Sequence, residues 1–222
     1  MGARRLKGLF VTFEGIEGSG KSTQLARAAE RLAALGVPVL PTREPGGTPV
    51  GAALRDVLLG WSGRLDPASE LLLMFADRKQ HLTEEIEPSL AAGSVVLCDR
   101  YTDASRAYQG AGRRLGEETV DLLHRTFCRR EPDVTYLVDC PVEIALARVA
   151  ARSGGAVDRF EREALSFHRR VREAYRRRAR REPKRFVLLD GRRAPDAVFA
   201  ALWVDLSRRL KRRGLLPPGS RP

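Results

Sequence analysis

The eight residues Gly15-Ile16-Glu17-Gly18-Ser19-Gly20-Lys21-Ser22 satisfy G-x-x-x-x-G-K-[ST], a pattern built to hold phosphate. Its glycines let the backbone take positive φ, so that several N–H groups converge on one anion. A helix opening after Gly20 adds the positive end of its dipole. Lys21 can then reach the terminal phosphates of a bound nucleotide, the Ser22 hydroxyl can ligate Mg2+, and Thr23 follows in the first turn. The pattern comes after an apolar run, Leu9–Glu14, and before a helical one, the context that makes it a P-loop.

A metal-bearing phosphate site also wants a carboxylate at the end of a neighbouring strand. The stretch SVVLCDR supplies it: an apolar run ends in Asp99, followed at once by Arg100. Asp99 is placed to hold Mg2+ through water, and Arg100 to face the phosphate of a second substrate. By contrast, Cys98, Cys128 and Cys140 are odd in number and lack metal-ligand spacing, which marks them as free thiols.

These groups need a scaffold, and the chain writes one. Short apolar runs alternate with longer helical patterns, the signature of an α/β chain with βαβ units on a parallel sheet. The strand candidates are Leu9–Glu14, Val37–Thr42, Ser94–Asp99, Val134–Asp139 and Arg185–Asp190. Helices are expected near Gly20–Leu35, Val50–Leu58, Ala68–Ala91, Glu117–Arg129, Val142–Ala151, Asp158–Arg181 and Pro195–Arg212. At 222 residues this reads as one domain over 1–212, long enough to bury roughly 70% of its unfolded surface. Residues 213–222, ending in LLPPGSRP, read as a disordered tail.

No apolar run approaches the roughly 20 residues a membrane span needs, so a cytoplasmic protein is expected. The formal charge is +12, much of it in the arginine-rich segment Arg169–Arg185 and in the stretch SRRLKRRG. Aromatic residues are not interleaved there as a base-stacking platform requires. The arginines therefore read as a solvated helix face, and no nucleic-acid partner is expected.

Four further stretches join the P-loop and Asp99-Arg100: TREPGGT (Thr42–Thr48), LLLMFADRKQHL (Leu71–Leu82), DRYTDASRAYQGAGR (Asp99–Arg113) and VDRFERE (Val157–Glu163). Together they resemble the bacterial thymidylate kinase family over about Leu9–Leu206. The resemblance implies a P-loop NTPase fold, a five-stranded parallel sheet flanked by helices, with a mobile lid over about residues 150–163. It also implies ATP-dependent phosphorylation of dTMP to dTDP with Mg2+, in a homodimer built through helices beside the active site.

Residue by residue, the resemblance places Glu17 near the sugar 3′-hydroxyl and Arg55 at the thymine carbonyl edge. Arg78 grips the dTMP phosphate together with Arg100. Ser105 and Gln109 read the base edge, and Tyr108 lies over the sugar. The aromatic ring that stacks on thymine usually lies four residues before the gripping arginine. Here that position is Met74, and Phe75, three residues before, is expected to take the role. Relatives carry a catalytic arginine in the P-loop or in the lid; Gly18 occupies the P-loop position, so Arg159, or else Arg152, is expected to act. Arg192, in DGRRAP, is expected along adenine. Two other readings stay open: a kinase for deoxynucleosides or other monophosphates, and a P-loop ATPase stimulated by nucleic acid.

Overall fold

The computed structural model describes residues 8–153 and 159–217, with the side chains of residues 152 and 153 excepted. Strands β1 (Leu9–Glu14), β2 (Val39–Arg43), β3 (Val95–Asp99), β4 (Val134–Asp139) and β5 (Phe186–Asp190) form one parallel sheet in the order β2-β3-β1-β4-β5. The three inner strands are buried along almost their whole length, which is why they read as continuous apolar runs. The edge strand β2 carries Pro41, whose missing N–H would break a ladder in the sheet interior.

Helices cover both faces. On one, α1 (Lys21–Ala34) and α9 (Pro195–Arg213) pack on a core that includes Phe13, Leu32, Leu97, Trp203 and Leu206. The other elements are α2 (Pro49–Gly60), α3 (Pro67–His81), α4 (Glu87–Ala91), α5 (Thr102–Ser105), α6 (Glu117–Leu123), α7 (Val142–Ser153) and α8 (Leu165–Arg181). Local chemistry sets several starts. Thr48 caps α2 and Asp66 caps α3, each followed by proline where its absent N–H costs nothing.

The expected helix Ala68–Ala91 is α3 and α4 joined by a π-helical turn, Leu82–Ile86. A helix that the periodicity missed runs through α5 into the π-helical stretch Arg106–Gly112. Helix α8 begins at Leu165, seven residues after the expected start at Asp158. Residues 213–217, at the start of the expected tail, are among the described residues. Helix α9 reaches Arg213, Gly214 ends it with φ 68°, and Leu215 and Leu216 pack against the core. Residues 218–222 lie outside the described residues.

Helix α8 buries Phe167, His168, Val171, Ala174 and Tyr175, and its arginines are more than a solvated face. Arg172 pairs with Asp139 at 2.7 Å, Arg178 with Glu182 at 2.6 Å and Arg180 with Glu173 at 2.8 Å. Cys98, Cys128 and Cys140 are free thiols. Among the described residues no helix is long and apolar enough to cross a membrane.

Candidate active site

Strands β1 and β3 lie side by side, with Phe13 opposite Asp99, so the loop after β1 and the carboxylate ending β3 meet at one edge. Crevices outside the carboxyl ends of parallel strands are where such sheets bind ligands. A cavity of about 630 Å³ opens there.

Gly18 in the loop adopts φ 71°, and a Cβ at this position would meet the carbonyl oxygen of Ala145 at 2.0 Å. Helix α7 thus leaves no room for a side chain, and the loop cannot carry an arginine here. Lys21 is nearly buried, with Nζ 3.9 Å from Asp99 Oδ1. Burial, then the neighbouring Arg100, lowers its pKa against the pull of Asp99 and Glu17. Ser22 Oγ donates to Asp99 Oδ2 at 2.5 Å. This pair of hard oxygen donors fits a divalent cation such as Mg2+. Ser19 Oγ is buried in the cavity wall without a hydrogen-bond partner among the described residues, Ile16 packs into the core, and Thr23 lines the cavity.

Between the two ends of the cavity stands a polar cluster. Arg100 Nη2 donates to Glu17 Oε1 at 2.7 Å and to the Tyr108 hydroxyl at 3.1 Å. Its backbone sits at φ 72°, a costly conformation for arginine, tied by an N–H bond to the Phe13 carbonyl at 3.0 Å. Burial opposes the charge of Glu17, but Arg100, Lys21 and Tyr108 outweigh it and hold the carboxyl below its ordinary value. Behind this cluster, Glu14 is fully buried and accepts from Tyr175 at 2.7 Å and from the Tyr101 N–H at 2.8 Å. Burial, reinforced by Asp103, pushes its pKa up to about 8.

At the far end, Arg78 is buried and held by Glu44 (2.7 Å), the Tyr101 carbonyl (3.2 Å) and Ser105 Oγ (3.2 Å). Its Nη1 has no hydrogen-bond partner among the described residues, and Arg78 lines the cavity. Arg55, Ser105, Tyr108 and Gln109 line it too. Arg55 Nη1 donates to the Pro45 carbonyl at 2.8 Å.

Three expected residues fall elsewhere. Phe75 turns into a cluster with Leu71 and Val120, and it is Met74 that faces the cavity. Arg159 pairs with Glu70 at 2.7 Å and donates to the Leu58 carbonyl at 3.0 Å, contacts that tie it to α2 and α3 and not to the phosphate loop. Arg192 forms a two-pronged pair with Asp190, at 2.8 Å on each side. The side chain of Arg152 and residues 154–158 of the expected lid lie outside the described residues.

Among the described residues, three cavity cations stand beyond those that the motifs assign to the site. Arg43, Arg148 and Arg193 line the wall, and Arg148 Nη1 donates to the Gly191 carbonyl at 2.8 Å. A signal for Arg148 existed, since it stands four residues before Arg152 and so on the same helical face.

Comparison with known proteins gives a consistent answer. A family model described as thymidylate kinase matches residues 13–202. A thymidylate kinase of Pelobacter propionicus is 47% identical over 201 residues, covering 88% of this chain and 92% of its own length. One of Pseudomonas putida is 51% identical over 197 residues, covering 87% and 94%. The crystal structure of thymidylate kinase from Ehrlichia chaffeensis superposes with a TM-score of 0.74 at 32% identity, covering 90% and 99%.

Proposed function

The chain belongs to the thymidylate kinase family, and from that premise we propose how its residues divide the conversion of dTMP to dTDP. ATP occupies the glycine loop, dTMP the Arg78 end, and the γ-phosphoryl group passes between them beside Arg100. One observation carries this reading. A single cavity joins Lys21, Ser22 and Asp99 at one end to Arg78 and Gln109 at the other, with Glu17, Arg100 and Tyr108 between.

Phosphoryl transfer needs positioning and charge stabilisation more than covalent chemistry, so no protein nucleophile is required. Lys21 and the loop N–H groups orient the terminal phosphates of ATP. The Ser22 hydroxyl and Asp99 would hold Mg2+, which supplies charge neutralisation at the phosphate oxygens. Arg78 and Arg100 grip the acceptor phosphate with planar forks suited to it. Glu17 accepts from the sugar 3′-hydroxyl, and the Tyr108 ring crowds the position of a ribose 2′-hydroxyl. With Gly18 barred from carrying an arginine and Arg159 committed to Glu70, the further cation for the transferring group is Arg148, with Arg152 four residues along α7. Arg193, rather than Arg192, serves the adenosine end.

A homodimer through α3 and α6 completes the proposal, in a cytoplasmic enzyme. Leu72 and Leu122 on those helices, and Phe127 just after α6, are each more than half exposed, which supports an apolar contact there.

The test is ADP release from ATP and Mg2+ with dTMP, dUMP, UMP, dCMP, dGMP or thymidine as acceptor. Strong preference for dTMP is expected. Turnover of thymidine in its place would overturn the assignment of Arg78 and Arg100, and hydrolysis stimulated by nucleic acid would overturn the kinase reading.

A further inference from the structure

Glu70 on α3 is fully buried, yet nothing in the reaction uses it directly. Its carboxylate accepts from two side chains and pairs with a third. Gln109 Nε2 donates to Oε1 at 2.7 Å. Arg113 Nε donates to Oε2 at 3.2 Å, and Arg159 Nη2 forms an ion pair with Oε2 at 2.7 Å. The two guanidinium groups fix the carboxylate in place and balance its charge.

A carboxylate offers acceptors only, whereas a glutamine amide carries a donor end and an acceptor end. With Nε2 committed to Glu70, Gln109 has its carbonyl oxygen left for the cavity it lines. Arg55, which has donors only, lines the same cavity. We propose that Glu70 is a specificity-determining residue: it sets the orientation of the Gln109 amide, so that the site accepts a base with a ring N–H beside a carbonyl and rejects one with a bare ring nitrogen beside an amino group. Thymine and uracil have the first pattern, cytosine the second. A cytosine ring sets its bare nitrogen against the Gln109 oxygen and its amino group against Arg55, donor on donor and acceptor on acceptor. Buried mismatches of this kind give strong discrimination. Arg159 and Arg113 take part as the groups that hold Glu70, which accounts for the position of Arg159.

The inference rests on the dTMP reading of the cavity, and the experiment separates the two. The ratio of kcat/KM for dTMP to that for dCMP is measured for the parent, Glu70→Gln, Gln109→Met and the double variant, with thermal melting and KM for ATP as controls. A glutamine at position 70 both donates and accepts, so the Gln109 amide is no longer fixed. The expected result is a fall of about 10-fold or more in the ratio for Glu70→Gln, with KM for ATP within about twofold. In the Gln109→Met background the same substitution leaves the ratio unchanged, because the effect passes through the amide. Should Glu70→Gln fail to fold, Glu70→Asp keeps the charge but withdraws the carboxylate by one methylene, and the ratio falls again. A folded Glu70 variant with the parental ratio overturns the role of Glu70 alone. A parent enzyme that does not prefer dTMP overturns the substrate reading instead.

Discussion

The Tyr108 hydroxyl lies 2.7 Å from both carboxylate oxygens of Glu17, and the Tyr108 ring carries the Arg100 guanidinium 4.7 Å from its centroid. One tyrosine therefore fixes both a carboxylate and a guanidinium at the centre of the cavity. It also helps Arg100 and Lys21 hold the Glu17 carboxyl below its ordinary value.

Tyr108→Phe keeps the ring and removes the hydroxyl. A hydrogen bond to a charged group contributes about 1.5–3 kcal/mol, so kcat/KM for dTMP is expected to fall about 10- to 100-fold. The sign of the pH effect follows from the lost donor. Without it Glu17 releases its proton at higher pH, so the acid limb of the kcat/KM profile moves upward. An unmoved acid limb would remove Glu17 from the reaction. Undiminished preference for dTMP over UMP in Tyr108→Ala, which removes the ring itself, would take the ring out of sugar selection.

Glu14 gives a stability prediction. Its pKa is raised to about 8 by burial, with Asp103 adding to the effect. Between the ordinary carboxylate value and about 8, the folded chain keeps a proton that the unfolded chain releases. Stability from this group is thus fully present at low pH and is lost as pH rises to about 8. Glu14→Gln cannot titrate. Denaturant unfolding at pH 5.5 and 8.5 is expected to show a parent that loses stability on the order of a few kcal/mol more than the variant does. Parallel losses in the two proteins would mean that Glu14 ionises freely in the folded state.

Much of this was legible in the sequence because the inner strands are buried on both faces and the P-loop is written in contiguous residues. β1 and β4 have the bounds that their apolar runs predict. What escaped depends on contacts between distant segments. The helix Thr102–Gly112 was hidden by a π-helical stretch with glycines, one of which, Gly112, is small because a Cβ would meet the Phe167 ring at 2.6 Å. Met74 and Phe75 are adjacent in sequence, and only the packing of Leu71 and Val120 decides which of them faces the cavity. Likewise, nothing near Arg159 in the chain announces Glu70 as its partner.

Arg78→Lys tests the grip on the acceptor phosphate. Lysine keeps the charge but loses the planar fork that contacts Glu44, Tyr101 and Ser105 together. KM for dTMP is expected to rise about 10-fold or more while KM for ATP changes little. An equal rise in both constants would show a general distortion of the cavity rather than a lost phosphate contact.

The cation that serves the transferring phosphoryl group is decided by comparing Arg148→Ala with Arg159→Ala. Arg148 projects from α7 into the cavity wall and is steadied by the Gly191 carbonyl, on the side where Gly18 meets α7. Arg159 is occupied by Glu70 and Leu58. Preorganised charge aimed at a developing anion is usually worth about 10²–10³ in kcat, so Arg148→Ala is expected to lose about that much at saturating ATP and dTMP. Arg159→Ala is expected to stay within a few-fold of the parent kcat and to act on KM for dTMP through Glu70. If instead Arg159→Ala takes the large loss in kcat and Arg148→Ala stays within a few-fold of the parent, Arg159 leaves Glu70 during turnover and the lid, not α7, supplies the charge.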